Sequence, residues 1–189
     1  MDTKAHRTFL SEDSIKLHMS YMNELKLKCS VIKKSVPELN GKTLRQVIKM
    51  PNRDGVKEEI LPLINSIKSH ELYFCSFAEQ PSSCRRIRDY YSSEAAFLYE
   101  LYTHARGKLW GFLYVAPRKD RPPEIAFGDG ISLPPLGSSP LLAIDLYEHS
   151  YLPDYSLDRD KYLRAMLSHL DINRLFSSEN AEIYLDTLI

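Results

Sequence analysis

Asp145 and His149 stand four residues apart, directly after the apolar run Pro140-Leu141-Leu142-Ala143-Ile144. At the end of a buried strand, that spacing lets a carboxylate and an imidazole face one point and offer it an oxygen and a nitrogen, which is metal-ligand chemistry. The pair alone decides little, because an aspartate that closes a strand more often caps the next turn. Partners must come from elsewhere, and two histidines occupy positions that helical periodicity turns inward. Ile15, His18, Met22, Leu25, Cys29 and Ile32 recur at three- and four-residue intervals, as on one face of a helix. Leu63, Ile67, His70, Phe74 and Phe77 make a second such stripe. A lone histidine on an apolar face is more often a hydrogen-bonded core residue than a ligand. Two on adjacent helices, followed by Asp-x3-His, shift that balance toward a mixed site of three imidazoles and one carboxylate, suited to iron, manganese or zinc.

The elements that must position these groups can be read along the chain. Ser11-Glu12-Asp13 opens the first helix with a capping hydroxyl and two acids, and the stripe carries it to about Lys34. Pro37 and Asn40-Gly41 break it, and a short helical turn is expected at Leu44–Ile48 within the connection. The second helix is expected to start between Glu59 and Pro62, with proline in its first turn, and to end near Phe77. Packed antiparallel, the two would bring His18 and His70 face to face. Ser92-Ser93-Glu94 starts a third helix. The pattern then changes to strands: Leu109–Val115, a charged turn at Arg118-Lys119-Asp120-Arg121, a returning strand at Glu124–Phe127, and a third at Leu141–Asp145. Asp158-Arg159-Asp160 opens a further helix, and Glu179–Leu188 is read as a final short one. The expected fold class is α+β, with an N-terminal α-helical hairpin domain over residues 1–85. A C-terminal α/β domain with a small three-stranded antiparallel sheet follows over residues 86–189, and the metal site lies between the two.

Bulk composition restricts the function further. The 189 residues are 43% hydrophobic, enough for a real core, and 25 Lys and Arg balance 25 Asp and Glu. No global positive field draws nucleic acid or an acidic membrane surface, and no apolar run has membrane-spanning length. The three cysteines, Cys29, Cys75 and Cys84, form no C-x-x-C pair and suit a reducing compartment, so a cytoplasmic protein is expected.

The run from Pro140 to Tyr151, with Asp145-Leu146-Tyr147-Glu148-His149-Ser150-Tyr151 at its centre and Asp154-Tyr155 beyond it, resembles the D-x-W-E-H-x-Y signature of iron/manganese superoxide dismutases. Leu17-His18 is similar to the family's first ligand motif. Ser69-His70-Glu71-Leu72-Tyr73-Phe74 is similar to its N-H-x-x-F-W motif, and Lys108-Leu109-Trp110-Gly111-Phe112-Leu113 to its G-S-G-W-x-W-L strand. The resemblance covers roughly residues 11–176 in order. It implies one iron or manganese ion per subunit, held by His18, His70, Asp145 and His149 and cycling between two oxidation states as superoxide is converted to oxygen and peroxide. It further implies a homodimer in which Glu148 reaches the partner's ligand histidine with Tyr151 beside it, and a pocket walled by Trp110.

Several positions around these ligands depart from the family pattern. Met22 takes the place of a funnel histidine, Lys26 that of a funnel tyrosine, Ser69 that of the usual asparagine and Phe112 that of the second tryptophan. Lys26 could attract superoxide or donate a proton, or be a solvated helix-face lysine, which is the favoured reading. Ser66 and Asp129 stand near places where the family carries a solvent-bonding glutamine. These changes leave open a catalytically weak or inactive relative that keeps the fold as a metal-binding or structural interaction protein. His6 and His169 read as exposed or capping, and Arg85-Arg86-Ile87-Arg88 as a solvated connection or an anion or partner site.

Overall fold

A computed structural model describes residues 3–52, 54–177, 183–186 and 188. Helix α1 spans Glu12–Ser35, and the Ser11 hydroxyl accepts the Ser14 N–H at 3.2 Å. Helix α2 is the short Leu44–Lys49 segment, closed at its start by a reciprocal Thr43–Gln46 capping box. Helix α3, Val56–Cys75, begins a turn earlier than proline placement implies. Gly55 enters it at φ +73°, the Asn52 side-chain oxygen accepts the Lys57 N–H, and the Asn52 amide holds Glu58. With its start fixed by these contacts, the helix accommodates Pro62 in its second turn. Residue pairings run in opposite directions along α1 and α3, His18 lying against Phe74 and Lys26 against Glu71. The pair is therefore an antiparallel hairpin.

Helix α4, Glu94–Arg106, starts at Ser93, whose hydroxyl accepts the Ala96 N–H. Three antiparallel strands follow: β1 Phe112–Arg118, β2 Arg121–Gly128 and β3 Leu142–Asp145, in the order β2-β1-β3. The structure thus has N-terminal helices and a C-terminal α/β region with a three-stranded antiparallel sheet. Strand β1 starts later than its aromatic run suggests. Gly111 adopts φ +100°, a conformation that ends a ladder, and leaves Leu109 and Trp110 exposed. Strand β2 holds Pro122 and Pro123 because it is an edge strand, where a missing N–H costs no central ladder bond. Short helix α5 Leu152–Tyr155 packs against α1 and α6 Arg159–Leu167, α6 packs in turn against α4, and α7 covers Ile183–Asp186. The expected start of that last helix, Glu179 to Glu182, lies outside the described residues. No described helix is long and apolar enough to cross a membrane.

A buried hydrogen bond joins the end of the helical hairpin to strand β3 close to the site. The Ser76 hydroxyl, at the end of α3, accepts the Ala143 N–H of β3 at 2.8 Å and donates to the Leu72 carbonyl at 2.7 Å, fully buried. Ser76→Ala leaves the Ala143 N–H unsatisfied in the core. We expect a loss of about 1–3 kcal/mol in urea unfolding, with metal affinity also reduced because Asp145 is two residues along the same strand.

Candidate metal centre

His18 comes from the middle of α1, His70 from α3, Asp145 from the end of β3 and His149 from the 3-10 turn Glu148–Ser150. Strand β3 places Asp145 opposite Phe112. The Tyr162 hydroxyl donates to the Asp145 carbonyl at 3.0 Å, and the Tyr147 N–H donates to its Oδ1 at 2.9 Å. The free oxygen, Oδ2, lies 3.1 Å from His149 Nε2, 3.4 Å from His18 Nε2 and 3.7 Å from His70 Nε2. His70 and His149 approach each other at 3.4 Å through their Nε2 atoms. His18, His70 and Asp145 are buried, whereas the His149 side chain is 30% exposed.

The tautomers follow from the backbone. His18 Nδ1 faces the Ser14 carbonyl at 3.1 Å and His70 Nδ1 faces the Ser66 carbonyl at 2.7 Å. A carbonyl only accepts, so each Nδ1 carries the proton and each neutral ring presents a bare Nε2 lone pair. Two such lone pairs and a carboxylate oxygen face a common volume, a set of donors suited to a cation. Donors about 2.1 Å from a common ion and 90–120° apart lie roughly 3.0–3.6 Å from one another. The His18–Asp145, His149–Asp145 and His70–His149 separations fall within that spacing, and His70 lies slightly farther from Oδ2, at 3.7 Å. His18, Asp145 and His149 by themselves form a compact potential metal-binding group.

Electrostatics separate the three titrating members with resolved shifts. Burial alone would raise the Asp145 carboxyl, but the charge and hydrogen bond of His149, the hydrogen bond of His18 and the charge of His70 hold it well below the usual carboxylate range. Burial pushes His70 down, and the nearby Asp145 only partly offsets it. At His149 burial also lowers the value, but Asp145 outweighs it and the net shift is upward. In metal-free protein, His149 is therefore expected to protonate first as pH falls and His70 later, in a histidine-resolved NMR titration. The raised His149 value contributes stability that is complete below its unfolded value of about 6.5 and is lost as pH rises through the folded value. The stability gap between metal-free wild type and His149→Gln should accordingly narrow from pH 6 to pH 8.

The other expected site residues are not all gathered here. Trp110 is 48% exposed and meets the Tyr147 ring at 6.0 Å, while Tyr147 in turn stacks on His149 at 5.6 Å. Lys26 pairs with Glu71 at 3.1 Å rather than with the imidazoles, and Met22 is buried. Glu148 is exposed, and Tyr151 stacks on Tyr162. Phe112 packs against His70 at 5.2 Å. The Asp129 carboxylate accepts the Ile131 and Ser132 N–H groups and the Ser132 hydroxyl, so it caps its own loop. Its backbone carbonyl accepts the Tyr147 hydroxyl at 2.7 Å. Sequence reasoning missed Tyr21, which is 42% exposed with its ring 5.3 Å from His70 and 5.7 Å from His149. Its place three residues after His18 was the available signal. His6, expected to be exposed or capping, is buried among Phe9, Tyr73, Phe74 and Phe77.

Residues 82–177, just over half of the chain, match the family described as iron/manganese superoxide dismutases, C-terminal domain. The chain is 31% identical to a superoxide dismutase [Fe] of Cupriavidus metallidurans over 129 residues, which cover 64% of this chain and 65% of that relative. It is 27% identical to superoxide dismutase [Fe] 1, chloroplastic, of Arabidopsis thaliana over 167 residues, 82% of this chain and 74% of the relative. The match to the first of these spans slightly less than two thirds of its length. With the helical hairpin, the three-stranded sheet and the convergent His and Asp side chains, these similarities place the chain in the iron/manganese superoxide dismutase family.

Proposed function

We propose that this chain is an iron- or manganese-dependent superoxide dismutase that converts superoxide to oxygen and hydrogen peroxide. The observation that carries the reading is the convergence of His18, His70 and His149 on Asp145 Oδ2 within 3.1–3.7 Å in a chain of this family. One metal ion per subunit, held by these four residues, would supply the one-electron couple. The protein's part is to keep the donors fixed. The Ser14 and Ser66 carbonyls set two imidazole tautomers, and Tyr162 and Tyr147 anchor Asp145. The rings of Tyr73, Phe74 and Phe112 exclude water on the inner side. The partly exposed His149 and the half-exposed Trp110 mark the open side, where superoxide would enter and Lys26 could at most attract it from a distance. In this reading the two domains, residues 1–85 and 86–189, share the ion. A second copy of the chain completes a homodimer through the exposed Glu148 and the neighbouring Tyr151. Three free cysteines suit a cytoplasmic setting, with no role for nucleic acid or membrane.

A second reading, a metal-binding or structural relative with weak or no turnover, is favoured by one observation. The two positions that would line the funnel with polar proton-relaying groups hold a buried methionine, Met22, and a lysine tied to Glu71. Elemental analysis paired with a superoxide assay on wild type and His70→Ala separates the two. A dismutase should carry about one iron or manganese and run at least a hundredfold faster than the variant, from loss of a ligand. Metal-replete wild type no faster than His70→Ala would establish the second reading instead.

A further inference from the structure

The fold brings together two basic runs that lie more than thirty positions apart in sequence. Arg86, in the 3-10 turn Arg85–Asp89, and Arg118, Lys119 and Arg121, at the tip of the β1–β2 hairpin, line one groove of about 480 Å³ together with Tyr90 and Phe176. Asp120, at φ +53° in the turn, is the single carboxylate among its lining residues. In a chain whose formal net charge is zero, four cations against one acid is a strong local concentration of positive charge. None of the four cations takes part in an ion pair among the described residues.

All four cations are exposed, and two details favour an anionic ligand at this surface. Arg118 and Arg121 are direct partners across the ladder, and like charges opposed in that way are destabilising unless something of opposite sign lies between them. Arg86 is held in place, its guanidinium 4.9 Å over the Phe176 ring and its Nη1 donating to the Phe176 carbonyl at 3.1 Å. Planar guanidinium forks on a fixed frame suit phosphate oxygens, and the groove has the volume of a small-molecule site. The site is separate from the metal centre. Phe112 packs on His70 at one end of β1, and Arg118 lies six residues on, roughly 20 Å along the strand.

We propose that this groove binds a phosphate-rich small anion, the di- or triphosphate group of a nucleotide or of an inorganic polyphosphate, through Arg86, Arg118, Lys119 and Arg121. The test is calorimetric titration of the full metal-loaded chain with adenosine triphosphate and with inorganic triphosphate near 0.15 M salt, where diffuse surface attraction is largely screened. The expected result is saturable binding at one site per chain for at least one of the two, weakened at least tenfold by Arg118→Glu and unchanged by Lys28→Glu on α1. A tighter nucleotide would assign the Tyr90 ring a share, and equal affinities would mean that phosphates alone are read. Arg118→Glu sets a carboxylate opposite Arg121, so its melting temperature should not fall, which separates lost binding from lost folding. The proposal is overturned by an absence of saturable binding, by a stoichiometry well above one, or by equal weakening in Lys28→Glu.

Discussion

Asp145→Ala should reduce bound metal to less than a tenth of the wild-type level under identical loading, measured by elemental analysis. Oδ2 of this residue is the atom that three imidazoles approach, and it is the only anion among the four donors. Without it, a buried divalent or trivalent ion keeps its full desolvation cost and loses its neutralising charge. The metal-free variant should also be less stable, by about 1–3 kcal/mol in urea unfolding near pH 6, because the hydrogen bonds of the buried carboxylate to the Tyr147 N–H and the imidazoles are lost, while His149, no longer raised by Asp145, gives up its proton. Asp145→Asn is the informative companion. It keeps the volume and can still meet the Tyr147 N–H, so a large loss of metal with a smaller loss of stability would assign the effect to charge. Near-stoichiometric metal in both variants would mean that the ion binds elsewhere.

Gly111→Ala is expected to be the most damaging single methyl addition in the sheet. A Cβ at this position would lie 2.6 Å from the Gly128 carbonyl oxygen and 2.6 Å from Phe127 Cζ, on a backbone at φ +100°. The backbone conformation is strained for any L side chain, and one of the clashing atoms is main chain, which cannot rotate away. Together these should cost about 3 kcal/mol or more, a fall of about 6–12 °C in Tm for a chain of this size. The Gly111 carbonyl also accepts the Leu146 N–H at 2.8 Å, so displacement there reaches the residue next to Asp145 and should weaken metal retention. Gly41→Ala supplies the comparison: φ is +69°, but nothing lies within 4 Å of the added methyl, so only the conformational cost of about 1 kcal/mol remains. Equal melting of the two variants would refute the steric argument.

The parts of the fold legible in the sequence were those where local chemistry and burial agree. Ser11 and Ser93 cap the helices they precede, and the stripe through His18, Met22 and Cys29 faces inward. Strand β3 was readable from four apolar residues ending in a carboxylate. Boundaries failed where a non-local contact decided them. Asn52 advances the start of α3, and Gly111, locked against Gly128 and Phe127, delays β1 so that Trp110 stays outside the ladder. An edge position rather than any local preference lets β2 run through Pro122 and Pro123. At the site, spacing identified the four converging side chains, but not what supports them. Ser76 bonding to Ala143, Tyr162 bonding to the Asp145 carbonyl and Tyr21 leaning on two imidazoles are all tertiary contacts. His6 was misread because its burial depends on rings from α3 and beyond that the N-terminal sequence cannot reveal.

The wide separation of the converging residues along the chain has a consequence for the order in which the centre comes together. Asp145 and His149 are four positions apart, whereas His18 is 127 positions from Asp145. Closing the longer loop costs about 3 kcal/mol more in chain entropy than closing the shorter one. An ion meeting the unfolded polypeptide therefore finds at most a two-donor foothold, and the remaining imidazoles arrive only when α1 and α3 dock on the sheet. Full affinity belongs to the finished fold, whose inner donors are already sealed and whose His149 edge is the accessible approach. In that sense the candidate centre is a lock closed by folding and opened from one side, and on the proposed reading tight metal uptake would report that the helical hairpin has reached its place.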